Sequence, residues 1–184
     1  MKTFTISALA MAASASLSSI LAQDSVSVEG RVIANTTKSP IGAFTVKAYS
    51  TDNASKPLNQ TLTHADGTYS LPIAMPLKAI TLRFEKLSYF SMPPQEIVQL
   101  TSPKTSVPDV VAVKYSYGQT ISTNDLLVAF SIRRESIDAI TTNLPAAERE
   151  NARKKFIQVD IESLKKSALD VKTISEVEKR VLPP

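Results

Sequence analysis

The sequence predicts a β-sandwich followed by an α-helical segment, and three observations lead to that fold class. All four glycines lie at or before position 118, and eight of the eleven prolines lie between Pro40 and Pro108. Apolar and polar residues alternate in short runs before position 118, but recur at helical spacing after it. There are 9 basic and 7 acidic residues in 23–118, against 11 and 10 in the shorter stretch 119–184. We therefore predict a sandwich domain over 23–118 and a helical segment over 119–184.

Residues 1–22 have the pattern of a secretory signal peptide. Lys2 supplies the positive start, and an uncharged, Ala-rich apolar run follows from Phe4 to Ala13. Cleavage after Ala22 is favoured. The earlier residues Ala13-Ser14-Ala15 also fit the small-x-small cleavage pattern, but cleavage there would leave an apolar stub on the mature chain. An N-terminal membrane anchor is the alternative, and the short, Ser-rich run disfavours it. We expect an exported protein that is periplasmic, extracellular or at the cell surface, without an integral membrane segment after signal removal.

Six segments of the first domain alternate in the manner of β-strands. Strands this short, separated by turn signals, are typical of a sandwich or barrel rather than a parallel sheet. Alternation also predicts that each sheet has one packed and one solvent-facing side. The predicted strands cover 24–34, 44–49, 58–63, 68–72, 78–85 and 109–115.

The dipeptide Asp66-Gly67 is the strongest turn signal in the chain. Aspartate hydrogen-bonds to its own turn, and glycine adopts a positive φ without a Cβ clash. The dipeptide predicts a hairpin between the strands on either side of it. An earlier reversal is predicted at Lys38-Ser-Pro-Ile-Gly42, which contains both Pro and Gly.

Several of these segments resemble the carboxypeptidase regulatory-like domain, in the order in which that family has them. The resemblance covers roughly residues 25–115. The chain departs from the family pattern at two points: Ser88 stands where the family has glycine, and the turn at Pro40-Ile-Gly42 is one residue shorter than in the family. The resemblance implies a seven-stranded, prealbumin-like Greek-key sandwich, an accessory module of exported or cell-surface proteins without catalytic residues of its own. The matching segments are Val28-Glu-Gly-Arg-Val32, Ser39-Pro-Ile-Gly-Ala43, Thr63-His-Ala-Asp-Gly-Thr-Tyr-Ser-Leu71, Ile80-Thr-Leu-Arg-Phe84 and Leu87-Ser-Tyr89.

Three helices are predicted after position 118. Ser122 or Thr123 caps the first, with Asp125 in its first turn, although its early part is also compatible with a strand. The run Thr142-Asn-Leu-Pro145 ends it, and Asn143 or Leu144 is the predicted restart, with Pro145 at the first helical position. The long second helix is predicted over 146–169. The capping-box pattern Thr173-Ile-Ser-Glu176 opens the third. The predicted apolar stripes are Leu126, Phe130, Ile137 and Ile140; Ile157, Ile161, Leu164 and Ala168; and Ile174, Val177, Val181 and Leu182.

Each apolar stripe needs a surface that buries it. Packing of the helices on one another or on an outer sheet face is the favoured interpretation. Self-association of the long helix, or docking on a partner, is the second. Binding to a membrane surface through Lys154-Lys155 and Lys165-Lys166 is the third, and the interleaved Asp160 and Glu162 disfavour it.

Composition excludes several chemistries. The chain has no Cys, which excludes disulfides, a thiolate zinc site and a cysteine nucleophile. Its single histidine, His64, lies two residues before Asp66, and an exposed residue beside a turn is favoured over a general base. We interpret the acids of the tail as solvated helix faces, and predict no catalytic residue, no cofactor and no metal. These acids are Glu148, Glu150, Asp160 and Glu162.

Two further residue classes are weighed as surface features. The five tyrosines form a candidate sugar-stacking face, although packing in the core is favoured because Trp, the stronger platform, is absent. Three Asn-x-Ser/Thr patterns match the N-glycosylation acceptor and fall in predicted turns or strand ends. The residues concerned are Tyr49, Tyr69, Tyr89, Tyr115 and Tyr117, and Asn35, Asn53 and Asn59.

The function predicted from the sequence is that of an exported, non-catalytic binding or scaffolding protein of the cell envelope. A protein partner or an envelope component is the expected ligand. The net charge of +4 falls to +3 without Lys2, which is too small for a nucleic-acid partner. A carbohydrate-binding accessory module is the first alternative, and an enzyme with a site at the sandwich–helix junction is the second.

Overall fold

Residues 25–101, 103–116 and 119–182 are described by the structure, a computed structural model. The described residues form a two-sheet β-sandwich of nine strands followed by three helices. The predicted signal peptide, Tyr117 and Gly118 lie outside them. The strands are β1 (Ser25–Ala34), β2 (Thr45–Ser50), β3 (Asn59–Leu62), β4 (Thr68–Ala74), β5 (Ala79–Glu85), β6 (Tyr89–Met92), β7 (Gln95–Gln99), β8 (Lys104–Ser106) and β9 (Val110–Lys114).

The first sheet has the order β4-β1-β9-β6, with β8 added to β1, and the second has the order β3-β2-β5-β7. Most neighbours are antiparallel, but β1 pairs in parallel with both β8 and β9. The sandwich class is therefore confirmed, with nine strands in place of seven and with a mixed first sheet. Three strands that alternation does not reveal, β6 to β8, have only three to five residues each and lie among the prolines.

The Asp66-Gly67 turn forms as predicted, but it does not join paired strands. Gly67 has a φ of 76°, and the backbone N–H of Thr68 donates to the Asp66 carboxylate at 3.0 Å. The strand before the turn, β3, pairs with β2, whereas the strand after it, β4, pairs with β1. The turn thus carries the chain from one sheet to the other, which local sequence does not distinguish from a hairpin.

The helices are α1 (Thr123–Ile140), α2 (Ala146–Lys165) and α3 (Val171–Val181). Ser122, one of the two predicted caps, is the N-cap of α1, and it forms a reciprocal capping box with Asp125 that was not predicted. Two other predicted caps are wrong by a few residues. Pro145 is the N-cap of α2 rather than its first helical residue. Asp170 caps α3 by accepting from the Thr173 N–H, so the predicted box lies inside the helix.

The helices pack on each other and on the outer face of the first sheet. Met92, Val111 and Val113 share one core with residues from all three helices. Val110 and Ala112, on the other face of β9, belong to the core between the sheets. The favoured packing interpretation is thus the observed one. The expectation of a solvent-facing side fails for β9, because that strand is buried on both faces.

Nine of the twelve predicted stripe residues are buried, and Leu182 is partly buried. Ile140, at the end of α1, is partly exposed. Ala168 is exposed because α2 ends at Lys165, three residues before it. Within the described ranges, no helix has both the length and the apolar character that crossing a bilayer requires.

Candidate functional site

Arg133 is the most deeply buried charged residue of the described chain, and its guanidinium connects both sheets to two helices. Its Nε–H donates to the Asp160 carboxylate of α2 at 2.9 Å, and one Nη2–H donates to Glu96 of β7 at 2.7 Å. The two Nη1–H groups reach the carbonyl oxygens of Pro108 and Asp109 at 3.0 and 3.1 Å. A further Nη2 contact to Asp160 at 3.3 Å uses the last donor. All five donors of the guanidinium are therefore satisfied.

The helix spacing explains why these charges are inside. Arg133 lies on the stripe that buries Phe130 and Ile137 of α1. Asp160 lies on the stripe that buries Ile157 and Ile161 of α2. A charged residue at a position of the apolar stripe is therefore the sequence signal for a buried charge, although it does not show which residue is its partner. The prediction that Asp160 is part of a solvated face is wrong, because it is 1% exposed.

The buried cluster of Arg133, Glu96 and Asp160 holds one positive and two acidic side chains. Burial raises the pKa of Glu96 to about 7, against the opposing effect of Arg133. Burial also raises the pKa of Asp160. Burial alone acts to lower the pKa of Arg133, but the two acids outweigh it and raise that pKa. The arginine thus stays charged, whereas Glu96 titrates near neutral pH.

Two polar atoms beside this cluster lack a hydrogen-bond partner among the described residues. They are Oε2 of Glu96 and the hydroxyl of Tyr69. Burial raises the pKa of Tyr69 well above its ordinary value, and the nearby Glu96 charge adds to that effect. Buried polar atoms are normally paired, so these two unpaired atoms are unusual in the described core.

A groove opens at the same junction, between β7, the segment around β8 and helix α2. Its cavity volume is about 300 Å³. Ser163 links α2 to β7 beside it, accepting from the Gln95 N–H at 3.1 Å and donating to the Gln95 carbonyl at 3.0 Å. Most of the lining is apolar, with Glu96 buried and Lys155 exposed. The lining residues are Glu96, Ile97, Val98, Gln99, Thr105, Ser106, Val107, Pro108, Ala152, Lys155, Phe156 and Val159.

Two other cavities, of about 320 and 580 Å³, lie elsewhere on the described surface. The first is lined mainly by the end of β4 and the residues around Leu58. The second is lined by residues at the start of α3, around Val171. Neither includes a buried charged side chain. The groove at the junction is therefore the better candidate site, although it is not the largest cavity.

The histidine candidate is placed as expected. His64 is exposed beside the turn. Asp66 binds Thr68 through both its hydroxyl (2.6 Å) and its N–H, and these hydrogen bonds lower the pKa of Asp66. The carboxylate is thus engaged by the turn rather than by the imidazole.

The other acids of the tail do lie on exposed faces. Glu148 is exposed, and Glu150 and Glu162 pair with basic neighbours on the same helix. Lys165 contacts Glu162 at 3.2 Å and Glu178 at 2.8 Å. Within the described residues, no group of three or more His, Asp or Glu side chains is arranged to hold a metal ion.

The tyrosines do not share one face. Tyr69 is buried in the core, and Tyr49 is buried beneath Arg83, whose guanidinium lies 4.4 Å from the ring centroid. Tyr89 packs edge-on against Phe44, and Tyr115 is partly exposed. The predicted stacking face for a sugar is therefore not assembled by the described tyrosines.

The three glycosylation patterns differ in exposure. Asn53 and Asn59 are exposed. Asn35 is only 6% exposed, so its position at a predicted strand end does not make it accessible. Its backbone N–H donates to the carbonyl of Ala112 at 3.1 Å, which draws it onto β9.

Comparison with known proteins identifies no family for this chain. No protein-family profile matches the chain, and no curated protein matches it in sequence. The resemblance to the carboxypeptidase regulatory-like domain is therefore without support from a family profile. What the structure defines is a class, a two-sheet sandwich of the kind that resemblance implies, with a helical layer on one sheet.

Solved structures with similar folds cover about half of the chain at low identity. A minor pilin of Streptococcus agalactiae is 12% identical with a TM-score of 0.43, over 54% of this chain and 49% of that one. The 5-hydroxyisourate hydrolase of Klebsiella pneumoniae is 12% identical with a TM-score of 0.34, over 50% and 92%. An alternative type II secretion pilotin of Vibrio cholerae is 11% identical with a TM-score of 0.28, over 50% and 98%. The chain spans about half or less of the length of the first three pilin structures it matches.

Proposed function

We propose that this chain is an exported, non-catalytic protein of the cell envelope that binds or scaffolds a partner through the groove between β7 and α2. The observation that carries the proposal is the groove itself. It combines a mostly apolar lining with a few polar groups, which is the usual composition of a binding site. Export rests on the signal-peptide pattern of residues 1–22.

The walls of the groove are well supported. The Arg133 cluster ties α1 and α2 to β7 and to the start of β9, and the Ser163 contacts tie α2 to β7 a second time. Pre-organised walls lower the ordering cost of association. Ile97 of β7, which is 49% exposed, supplies apolar surface at this site.

Site-specific photo-cross-linking tests the proposal. A photoreactive residue placed at Ile97 should capture a defined partner in the native envelope. The same residue placed at Leu87, which is 93% exposed and outside the groove, should not. Equal capture at both positions, or none at Ile97, contradicts binding through the groove. Export is tested separately by fractionation of the full chain against a chain that lacks residues 1–22.

A second candidate function is an enzyme acting in this groove. The observation that favours it is the buried Glu96 carboxyl, whose pKa burial raises to about 7, a suitable value for a general acid or base. Turnover of a hydrolytic substrate panel that Glu96→Gln abolishes, while the fold persists, would establish this function in place of the first.

A further inference from the structure

The charge balance of the buried cluster points to the ligand class that the groove would bind. Arg133 carries one positive charge, whereas Glu96 and Asp160 carry two negative charges when both are ionised. All five guanidinium donors are used, so none is left for Oε2 of Glu96. The ionised cluster therefore lacks one cation and one hydrogen-bond donor.

The groove lies beside Glu96, whose Oε2 is itself buried. Glu96 is 2% exposed, and it is among the residues that line the cavity. The walls beside it are apolar and include Val98, Val107 and Phe156. A guest that fits must therefore pair a charged donor with an apolar body.

We propose that the groove binds a primary ammonium group carried on an unbranched apolar chain, with Oε2 of Glu96 as its acceptor. The inference rests on the proposed binding function and names its ligand chemistry. An ammonium supplies both the missing charge and the missing donor, and the methylene chain covers the apolar walls. A free alkylamine and a lysine side chain of a partner protein share this chemistry.

Lys155 is the basic residue that lines the groove. Its side chain is exposed, so solvent and salt screen its repulsion of a second cation. Because that repulsion is screened, replacement of Lys155 by Met should strengthen binding of an ammonium only slightly, and should slightly weaken binding of a carboxylate of the same chain length.

Calorimetric titration of the folded chain with three hexyl compounds tests the proposal. At about pH 8, hexylammonium should bind at least about tenfold more tightly than hexanol, since a hydrogen bond to a charged group contributes that much. Hexanoate should bind most weakly. A parallel titration uses Nα-acetyl-lysine methylamide in place of hexylammonium. Tighter binding of hexylammonium indicates a free alkylamine as the ligand, and tighter binding of the lysine derivative indicates a lysine side chain of a partner protein.

Two variants assign the effect to the carboxylate. Glu96→Gln keeps an acceptor for Arg133 and should remove the preference for hexylammonium over hexanol. Glu162→Gln, which changes an exposed acid on α2, should leave it intact. Circular dichroism checks the fold of each variant, and the comparison of the three compounds on the unaltered chain remains decisive if Glu96→Gln does not fold.

The preference should weaken as the pH falls below about 7, where Glu96 takes up a proton. The charged or titratable groups around Glu96 are Arg133 of α1, Asp160 and Lys155 of α2, and Tyr69 of β4. Asp109 contributes its backbone carbonyl, and its carboxylate pairs with Arg31. Of these, Asp160 also has a raised pKa, so Asp160→Asn is the control for the pH profile.

Equal affinity for hexanol and hexylammonium overturns the proposal. So does an unchanged hexylammonium affinity in folded Glu96→Gln, or no binding of either amine up to about 10 mM. These failures are separable from failure of the proposed function. Capture of a partner at Ile97 without amine binding leaves the groove as an interface and rejects only the ligand class.

Discussion

Replacement of Glu96 by glutamine should change the pH dependence of stability. The wild-type carboxyl is buried beside Arg133 and has a raised pKa. Glutamine keeps the oxygen that accepts from Nη2 and cannot ionise. The variant therefore isolates what ionisation of this one group does to the folded state.

The magnitude follows from the two protonation equilibria. A folded-state pKa of about 7 against the ordinary 4.5 corresponds to about 3 kcal/mol of free energy of unfolding. The folded chain binds the proton more tightly than the unfolded chain. The stabilising contribution is therefore complete below pH 4.5 and is lost as the pH rises through about 7. Glu96→Gln should lack this decline.

Urea unfolding at several values between about pH 5 and pH 8 measures the effect. The wild-type free energy of unfolding minus that of Glu96→Gln should fall by about 2 to 3 kcal/mol across the range. Subtracting the stability of Glu96→Gln from that of wild type removes the contribution of groups that titrate independently of Glu96. Glu162→Gln, which changes an exposed acid, is the control and should have the pH profile of wild type. Parallel pH profiles for wild type and Glu96→Gln would refute the raised pKa and the buried charge imbalance together.

Three further variants test the cluster, the turn and the first helix cap. Arg133→Met should lower the free energy of unfolding by about 3–5 kcal/mol at about pH 8, because it leaves two buried acids unpaired. Urea titrations at acidic pH should show a smaller loss of stability in this variant, and an equal loss at both pH values would argue against unpaired acids as the cause. Gly67→Ala should lower the free energy of unfolding by at least about 2 kcal/mol, since φ is 76° and a Cβ would lie 2.5 Å from the Val32 carbonyl oxygen. A melting temperature close to that of wild type would contradict this prediction. Ser122→Ala should cost about 1 kcal/mol in the same melt, and Ser122→Asp, which keeps an acceptor, should cost less.

Local features of the chain were determined by the sequence alone. Strand alternation, the αL glycine at Gly67 and the Ser122–Asp125 capping box each depend on residues a few positions apart. Such short-range preferences act before any tertiary contact exists, and the sandwich and helical segments follow from them. The cap at Asp170 was missed because Asp170 and Thr173, three residues apart, are both residue types that cap helices. Pro145 is an N-cap without a side-chain cap hydrogen bond, so no capping pattern marks it.

The candidate site was decided by tertiary structure. Arg133 lies 37 positions from Glu96 and 27 from Asp160, and the three meet only because α1 and α2 pack at the junction with β7. A charge on an apolar stripe marks Arg133 and Asp160 as unusual, but it does not name their partners. Glu96 alternates with Ile97 on a strand too short to be recognised. The sequence therefore determined which segments form strands and helices, whereas long-range packing decided which charges became buried, because the cost of desolvation depends on neighbours far away along the chain.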